Sequence, residues 1–340
     1  MSVRGAGVVV VTGATAGIGR ATAVAFARRG WRVALLARGA DGLAGARRDV
    51  EAAGGTALEV PTDVADAVAV EAAADRVVAE WGGIDVWVNN AMATVFCPAL
   101  ELRAEDLKRA TDVTYHGAVW GTLAAVRRMR ERGRGTVVQV GSALAYRSIP
   151  LQSAYCAAKS ALRGFTDSLR SELIHERSPV HLTTVHLSAF NTPQFDWGRN
   201  CMQRRPQPLG RIFQPELAGE AIFWAAQRRR REVWVGWPAM QAILGQRVVP
   251  GYLDRRLAHE AWEGQMEEVP KPAGAPDNLH SPVPGDPGTH GRFDDRALDH
   301  SAQWWLNSNR TWLALAAVGV AAALGSLLPR TGRDRARLAP

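Results

Sequence analysis

The run Gly7-Val-Val-Val-Val-Thr12 constrains this chain more than any other feature. A β-branched stretch without polar alternation has no solvent face, so it reads as a strand buried on both sides, and a helical pattern follows from Ile18 to about Arg29. The strand-then-helix unit recurs. Residues 32–36, 56–60, 84–89, 135–140 and 180–187 read as further strands with helical segments between most of them, and 215–228 and 232–236 supply a last helix and a last short strand. Such alternation predicts an α/β fold with a doubly wound parallel sheet of about seven strands and helices on both faces.

The first strand runs into Thr12-Gly-Ala-Thr-Ala-Gly-Ile-Gly19, which opens the first helix. This is where a Rossmann-like sheet meets a dinucleotide pyrophosphate, on free backbone N–H groups and the positive end of a helix dipole. Gly13, Gly17 and Gly19 permit close approach, and Thr15, Ala16 and Ile18 fill the turn between them. The glycine spacing is GxxxGxG rather than GxGxxG. Cofactor choice is written at the end of the second strand, where a carboxylate would bind the ribose 2′-hydroxyl of NAD and repel a 2′-phosphate. Here the strand ends Leu35-Leu-Ala-Arg-Gly39, with no acid, and Arg38 is suited to pair with the phosphate of NADP.

Tyr155-Cys-Ala-Ala-Lys159 sets a phenol and an ammonium four residues apart on one face of a helix beginning near Ser153, and Ser142 lies just past a buried strand. A tyrosine's ordinary pKa is about 10, so acid or base work near neutrality needs the phenolate stabilised, and an adjacent ammonium together with a positive nicotinamide would do that. The glycine loop, Asn89-Asn-Ala91, Ser142 and the Tyr155/Lys159 pair, in this order and spacing, resemble the short-chain dehydrogenase/reductase family over about residues 5–237. The resemblance implies hydride transfer between NADP(H) and a small carbonyl or alcohol substrate. It implies that Ser142 hydrogen-bonds the substrate oxygen, that Tyr155 exchanges its proton, and that Lys159 holds the nicotinamide ribose. It further implies that Asp63 and Val64 meet the adenine, that Asn90 lines the cleft, that Thr192 meets the carboxamide, and that the chain forms a homodimer or homotetramer through helices at 104–132 and 153–176. Asp63 has a competing role as cap of a helix starting near Asp66. The rival reading of the whole is a catalytically weak NADP-binding scaffold or redox sensor.

Two departures from the family pattern stand out. In Asp112-Val-Thr-Tyr-His-Gly117 the family usually carries Asn where this chain has Thr114, which puts the proton relay in question, and Ser188-Ala189 replaces the usual Pro-Gly after the sixth strand. Substrate choice is expected in residues 193–213, an irregular stretch mixing Phe195, Trp197, Met202 and Phe213 with Arg199, Arg204, Arg205 and Arg211. That mixture suggests an apolar carbonyl compound bearing an acidic group.

The chain divides on composition into a catalytic domain over 1–240, an extension with a Pro/Gly-rich linker or irregular wrap over 241–310, and an apolar helix with an Arg-rich tail over 311–340. Of 41 basic residues only Lys108, Lys159 and Lys271 are lysines, and the arginines are scattered, which argues against nucleic acid despite a net charge of +8. Cys97, Cys156 and Cys201 share no metal-ligand spacing and read as reduced thiols in a cytoplasmic protein that holds no metal. Trp312–Leu328 carries no charge over 17 residues. As a helix it would measure about 25 Å, short of a hydrocarbon core of roughly 30 Å. With Trp304, Trp305 and Trp312 at one end, residues 304–330 are expected to lie on or dip into the cytoplasmic face of a membrane rather than span it.

Overall fold

A computed structural model of the chain describes residues 7–310 and Trp312. The central sheet consists of β1 (Val8–Thr12), β2 (Arg32–Ala37), β3 (Thr56–Pro61), β4 (Val86–Asn89), β5 (Gly135–Ser142), β6 (Val180–Leu187) and β7 (Glu232–Val235). They lie side by side in the order β7-β6-β5-β4-β1-β2-β3, and every pairing is parallel. All five residues of β1 are buried because it sits inside the sheet, with Val10 level with Ala34 on β2 and with Trp87 on β4.

The helices are α1 (Gly17–Ala27), α2 (Ala40–Ala52), α3 (Ala67–Trp81), α4 (Ala104–Thr111), α5 (Gly117–Glu131), α6 (Ser153–His175), α7 (Pro215–Ala226), α8 (Trp237–Val248) and α9 (Pro250–Gly264). Val8, Val10, Ala34 and Leu36 join Val70, Val77, Ala124, Ala125 and Leu173 of α3, α5 and α6 in one apolar core. Their neighbours Val9, Val11, Val33 and Leu35 point through the other face of the sheet, as strand geometry requires. There α1 packs closely on α7, where a Cβ at Gly219 would come within 2.7 Å of the Ala21 carbonyl oxygen. Helix α3 starts on Asp66, whose carboxylate accepts from the N–H groups of Val68 and Ala69.

The core does not stop at β7. Met266–Pro270 pairs antiparallel with Arg204–Pro206, and Ala297–Leu298 pairs with Ile212–Phe213, which itself pairs with Ala189–Phe190. The extension expected beyond residue 240 is thus stitched into the loop after β6, and the chain up to Ser301 forms one compact unit. The Pro/Gly-rich stretch between those two strands is a wrap rather than a free linker. A second unit begins at Ala302 and contains a helix over 302–310, on which Trp305 and Leu306 are exposed. The apolar helix expected over 312–328 lies outside the described residues except for Trp312. Among the described residues no helix is long and apolar enough to cross a membrane.

Candidate active site

Strands β1 and β4 are neighbours whose following helices go to opposite faces of the sheet, so a crevice opens at their carboxyl ends. The glycine loop lines it. Gly17 has φ of +51°, a left-handed conformation that side chains resist, and a Cβ there would come within 2.9 Å of Thr192 Cγ2. Gly19 does not line the cavity but allows the turn to close, since a Cβ would fall 2.1 Å from the Gly13 carbonyl oxygen. The N-cap of α1, Ala16, offers no side-chain acceptor, so no capping side chain occupies the first N–H groups of the helix.

A cavity of about 510 Å³ runs from this loop to the ends of β5 and β6. Gly13, Thr15, Ala16, Gly17, Ile18, Arg38, Asp63, Val64, Asn90, Ser142, Tyr155, Lys159 and Thr192 all line it. Asn90 is fixed by donating from Nδ2 to the carbonyls of Thr12 (2.9 Å) and Gly13 (3.2 Å). Asp63 does not cap α3, a task that falls to Asp66; its carboxylate accepts from Ala65 N–H (3.1 Å) and Arg109 Nη2 (2.6 Å). The loop's open backbone and helix start, with Arg38 on the wall beyond, fit a dinucleotide.

That the Pro/Gly-rich wrap lines the cavity was not legible in the sequence. Asn278, Pro282, Val283, Gly285 and Pro287 of the wrap line the same cavity. Arg38 donates to the backbone carbonyls of Asn278, Leu279 and His280, and the N–H of Gly17 donates to the carbonyl of Gly288 (3.3 Å). Both donors are among those a dinucleotide's phosphates would use.

At the other end, Ser142 terminates β5 and accepts from Leu144 N–H (3.1 Å). Tyr155 and Lys159 follow on the first turns of α6, and the Lys159 ammonium lies 5.6 Å from the centre of the tyrosine ring. The ammonium donates to the Val140 carbonyl (2.7 Å) and is 4% exposed; burial lowers its pKa from 10.5 to about 8. Burial pushes the Tyr155 phenol up, and the Ser142 hydroxyl opposes this by hydrogen bonding to it.

Residues 7–198 match the model of a family described as short chain dehydrogenase. The chain belongs to that family. It is 31% identical to the uncharacterized oxidoreductase YxnA of Bacillus subtilis (strain 168) over 313 residues, 92% of this chain and 87% of that one. It is 33% identical to the putative oxidoreductase SadH of Mycobacterium tuberculosis (strain ATCC 25618 / H37Rv) over 258 residues, 74% of this chain and 94% of that one. Among solved structures it resembles the alcohol dehydrogenase of the archaeon Thermococcus sibiricus, solved with 5-hydroxy-NADP, at a TM-score of 0.59 and 26% identity, covering 67% of this chain and 95% of that one. The protein is accordingly an oxidoreductase of the short-chain dehydrogenase family, on a Rossmann-like sheet.

Against the family pattern, Thr114 sits in a π-helical turn, Asp112–His116, between α4 and α5. It is fully buried and off the cavity wall, and its hydroxyl donates to the Ala93 carbonyl (3.0 Å) while accepting from the Ala93 N–H (2.9 Å). Its one proton is committed to that carbonyl, so its local role is to tie α4–α5 to the end of β4. Ser188 and Ala189, in place of Pro-Gly, line the cavity.

Three expectations are corrected at the substrate end. Arg199 pairs with Asp106 and Asp277, Arg204 with Glu263, and Arg205 with Asp196 and Glu267, while Arg211 is exposed. None of the four lines the cavity, because acids of the extension, invisible as neighbours in the sequence, hold three of them. Phe195 and Trp197 do line it, whereas Met202 is off the cavity wall, packed against the apolar cluster that includes Phe195, and Phe213 is buried in the small sheet. Cys97 and Cys201 form a disulfide, since parallel pairing of Val95–Phe96 with Arg199–Asn200 sets the two next residues side by side; only Cys156 is a free, buried thiol.

Sequence reasoning also missed a polar support behind Ser142. His186, on β6 and 1% exposed, faces the Ser142 carbonyl through Nδ1 (3.2 Å), which a carbonyl permits only if Nδ1 carries the proton. Burial holds the ring neutral by lowering its pKa to about 4. Beyond it Tyr146 donates to Glu232 (2.8 Å). A histidine near the end of the strand that follows the Ser142 strand was the available signal.

Proposed function

We propose that this chain transfers a hydride between NADP(H) and a carbonyl or alcohol carbon of a small, largely apolar substrate. The observation that carries the reading is the gathering of Ser142, Tyr155 and Lys159 at one end of a cavity whose other end is the glycine loop and Arg38. The bound cofactor supplies or accepts the hydride. Ser142 hydrogen-bonds the substrate oxygen, Tyr155 gives that oxygen its phenolic proton in reduction and takes it back in oxidation, and Lys159 holds the nicotinamide ribose and favours the phenolate. Apolar preference follows from Met92, Leu144, Ile149, Leu209, Ala242 and Leu257, which line the cavity. Leu107 and Ile174, exposed on α4 and α6, fit a homodimer or homotetramer built through those helices. The test is a panel of aldehydes, ketones and secondary alcohols assayed for NADPH oxidation and NADP reduction. Activity on apolar members is expected, and none on any member would overturn the reading.

The preference for NADP rests on Arg38 and on the lack of an acid at the end of β2. Binding the 2′-phosphate would exchange the carbonyls that Arg38 now holds for phosphate oxygens. Arg38→Ala is expected to weaken NADPH binding by roughly 1.5–3 kcal/mol and NADH binding much less. Fluorescence titration of both cofactors measures it. Loosening of the wrap acts on both cofactors alike, so only the difference reports the phosphate, and equal losses would remove Arg38 from cofactor choice.

We also propose that the tail beyond residue 304 rests on a cytoplasmic membrane surface, on the strength of exposed Trp305, Leu306 and Trp312 beside the uncharged stretch that follows. Full-length protein is expected to sediment with anionic vesicles, and a chain ending at Arg310 to stay in solution. Full-length protein that stays in solution with vesicles present would overturn it.

A further inference from the structure

The wrap has properties that packing alone does not require. Three prolines, Pro282, Pro284 and Pro287, stiffen it over the six residues 282–287. Helix α2 presents Gly42 and Gly45 toward it, three residues apart on one face, although glycine inside a helix costs about 1 kcal/mol relative to alanine. At Gly45 the reason is proximity to the wrap, since a Cβ would fall 2.1 Å from Asp286 Oδ2; at Gly42 a Cβ would meet Thr15 Cβ first (2.8 Å), with Pro287 Cδ at 3.3 Å.

Arg109 Nε donates to the Leu279 carbonyl (3.0 Å) and the Asn278 N–H to the Trp197 carbonyl (3.0 Å), which anchor the start of this segment; the tethers of the rest fall into two groups. Arg38 and the Gly17 N–H hold it by donors that a dinucleotide's phosphates would also use. Asp286 holds it by contacts outside the cavity: its carboxylate pairs with Arg20 through both Nη1 and Nη2, and with Arg48 (3.3 Å). Arg20 is 5% exposed and is steadied from its other side by Asp49 (2.7 Å), so its guanidinium is already aimed. Arg20 also holds the Asp286 carboxyl below the usual carboxylate range, which keeps the pair charged through neutral pH. Gly285 N–H donates to Asp41 on α2 (3.1 Å).

We infer that residues 278–288 belong to the cofactor site, as a roof over its adenosine half that Asp286 latches to Arg20 and Arg48, so that bound NADP(H) leaves only when the roof lifts. The inference rests on the cofactor reading above. Under the roof, Pro282, Val283 and Pro287 present apolar surface across the cavity from the glycine loop, suited to the face of an adenine ring. A cofactor taking Arg38 and the Gly17 N–H would remove two tethers and leave the Asp286 latch to keep the roof shut at its far end, with Arg109 and Trp197 holding its start. The consequence is a cofactor retained over many turnovers.

The test uses the full chain loaded with NADPH and chased with excess NADP, following the loss of bound-NADPH fluorescence by stopped flow. Asp286→Ala is expected to release NADPH at least about tenfold faster than wild type, since the latch then has no charge-assisted bond. Release at the wild-type rate would overturn the inference and leave the cofactor reading standing. Hydrogen exchange on the wild-type protein gives a second measurement that no folding defect can confound. The N–H groups of residues 278–288 are expected to exchange at least about tenfold more slowly with saturating NADPH, because the filled cavity braces the roof from beneath. Unchanged exchange would also overturn it. Wild-type protein that binds neither NADPH nor NADH would overturn the cofactor reading itself, and the inference with it.

Discussion

Tyr155→Phe is expected to lower turnover by about a thousandfold or more while leaving NADPH affinity within about twofold of wild type. The substitution removes the one proton that the proposed mechanism has Tyr155 exchange with the substrate oxygen but keeps the ring that packs beside Lys159. Burial raises the phenol's pKa, so the group is protonated through neutral pH and poised as an acid for carbonyl reduction. The opposite direction needs the phenolate and is expected to rise with pH. Steady-state rates in both directions, with cofactor titrations on the same preparations, measure it. A variant that keeps more than about a tenth of wild-type turnover would displace Tyr155 from the acid/base role and favour a cofactor-binding scaffold.

Lys159→Met is expected to lower turnover by at least about a hundredfold and at the same time to raise the melting temperature at pH 7. The ammonium is buried with a single hydrogen bond to Val140, and its pKa falls from 10.5 to about 8 because burial penalises the charge. Below pH 8 both folded and unfolded chains carry the proton, and the folded chain bears the whole penalty. Between pH 8 and 10.5 the unfolded chain holds a proton that the folded chain has released, so stability rises with pH across that window. The shift corresponds to about 3 kcal/mol, and leaving the Val140 carbonyl without its donor takes back about 1. Net stabilisation at pH 7 amounts to a melting temperature higher by a few degrees. The advantage should shrink as pH approaches 10.5. Calorimetry of both proteins at pH 7 and pH 10 checks this, and a lower melting temperature for Lys159→Met at pH 7 would show that the buried ammonium is a net stabilising group.

Local patterns in the sequence determined much of this protein. An unbroken β-branched run such as Val8–Val11 can satisfy its burial only inside a parallel sheet, and all seven strands lie where the recurring strand-then-helix pattern puts them, with the glycine loop at the end of the first. The spacing of Tyr155 and Lys159 fixed their shared helix face, and chain order alone put Ser142 at the end of β5. What only the tertiary structure decided are pairings between distant segments. The arginines of residues 199–205 look like ligands for an acidic substrate until the acids that pair with them, at positions as far away as 106 and 277, come alongside. Cys97 and Cys201 meet because two short strands pair across about a hundred residues of chain. The segment 278–288 reads as a linker because proline and glycine carry no periodicity. It becomes a cavity wall because Arg20, Arg38 and Arg109, each on a different helix or strand end, hold its carboxylate and its carbonyls. Periodicity records which face of an element is buried; it holds no record of which distant polar group will complete a buried charge, and in this protein such pairings hold the segment that forms one wall of the cavity.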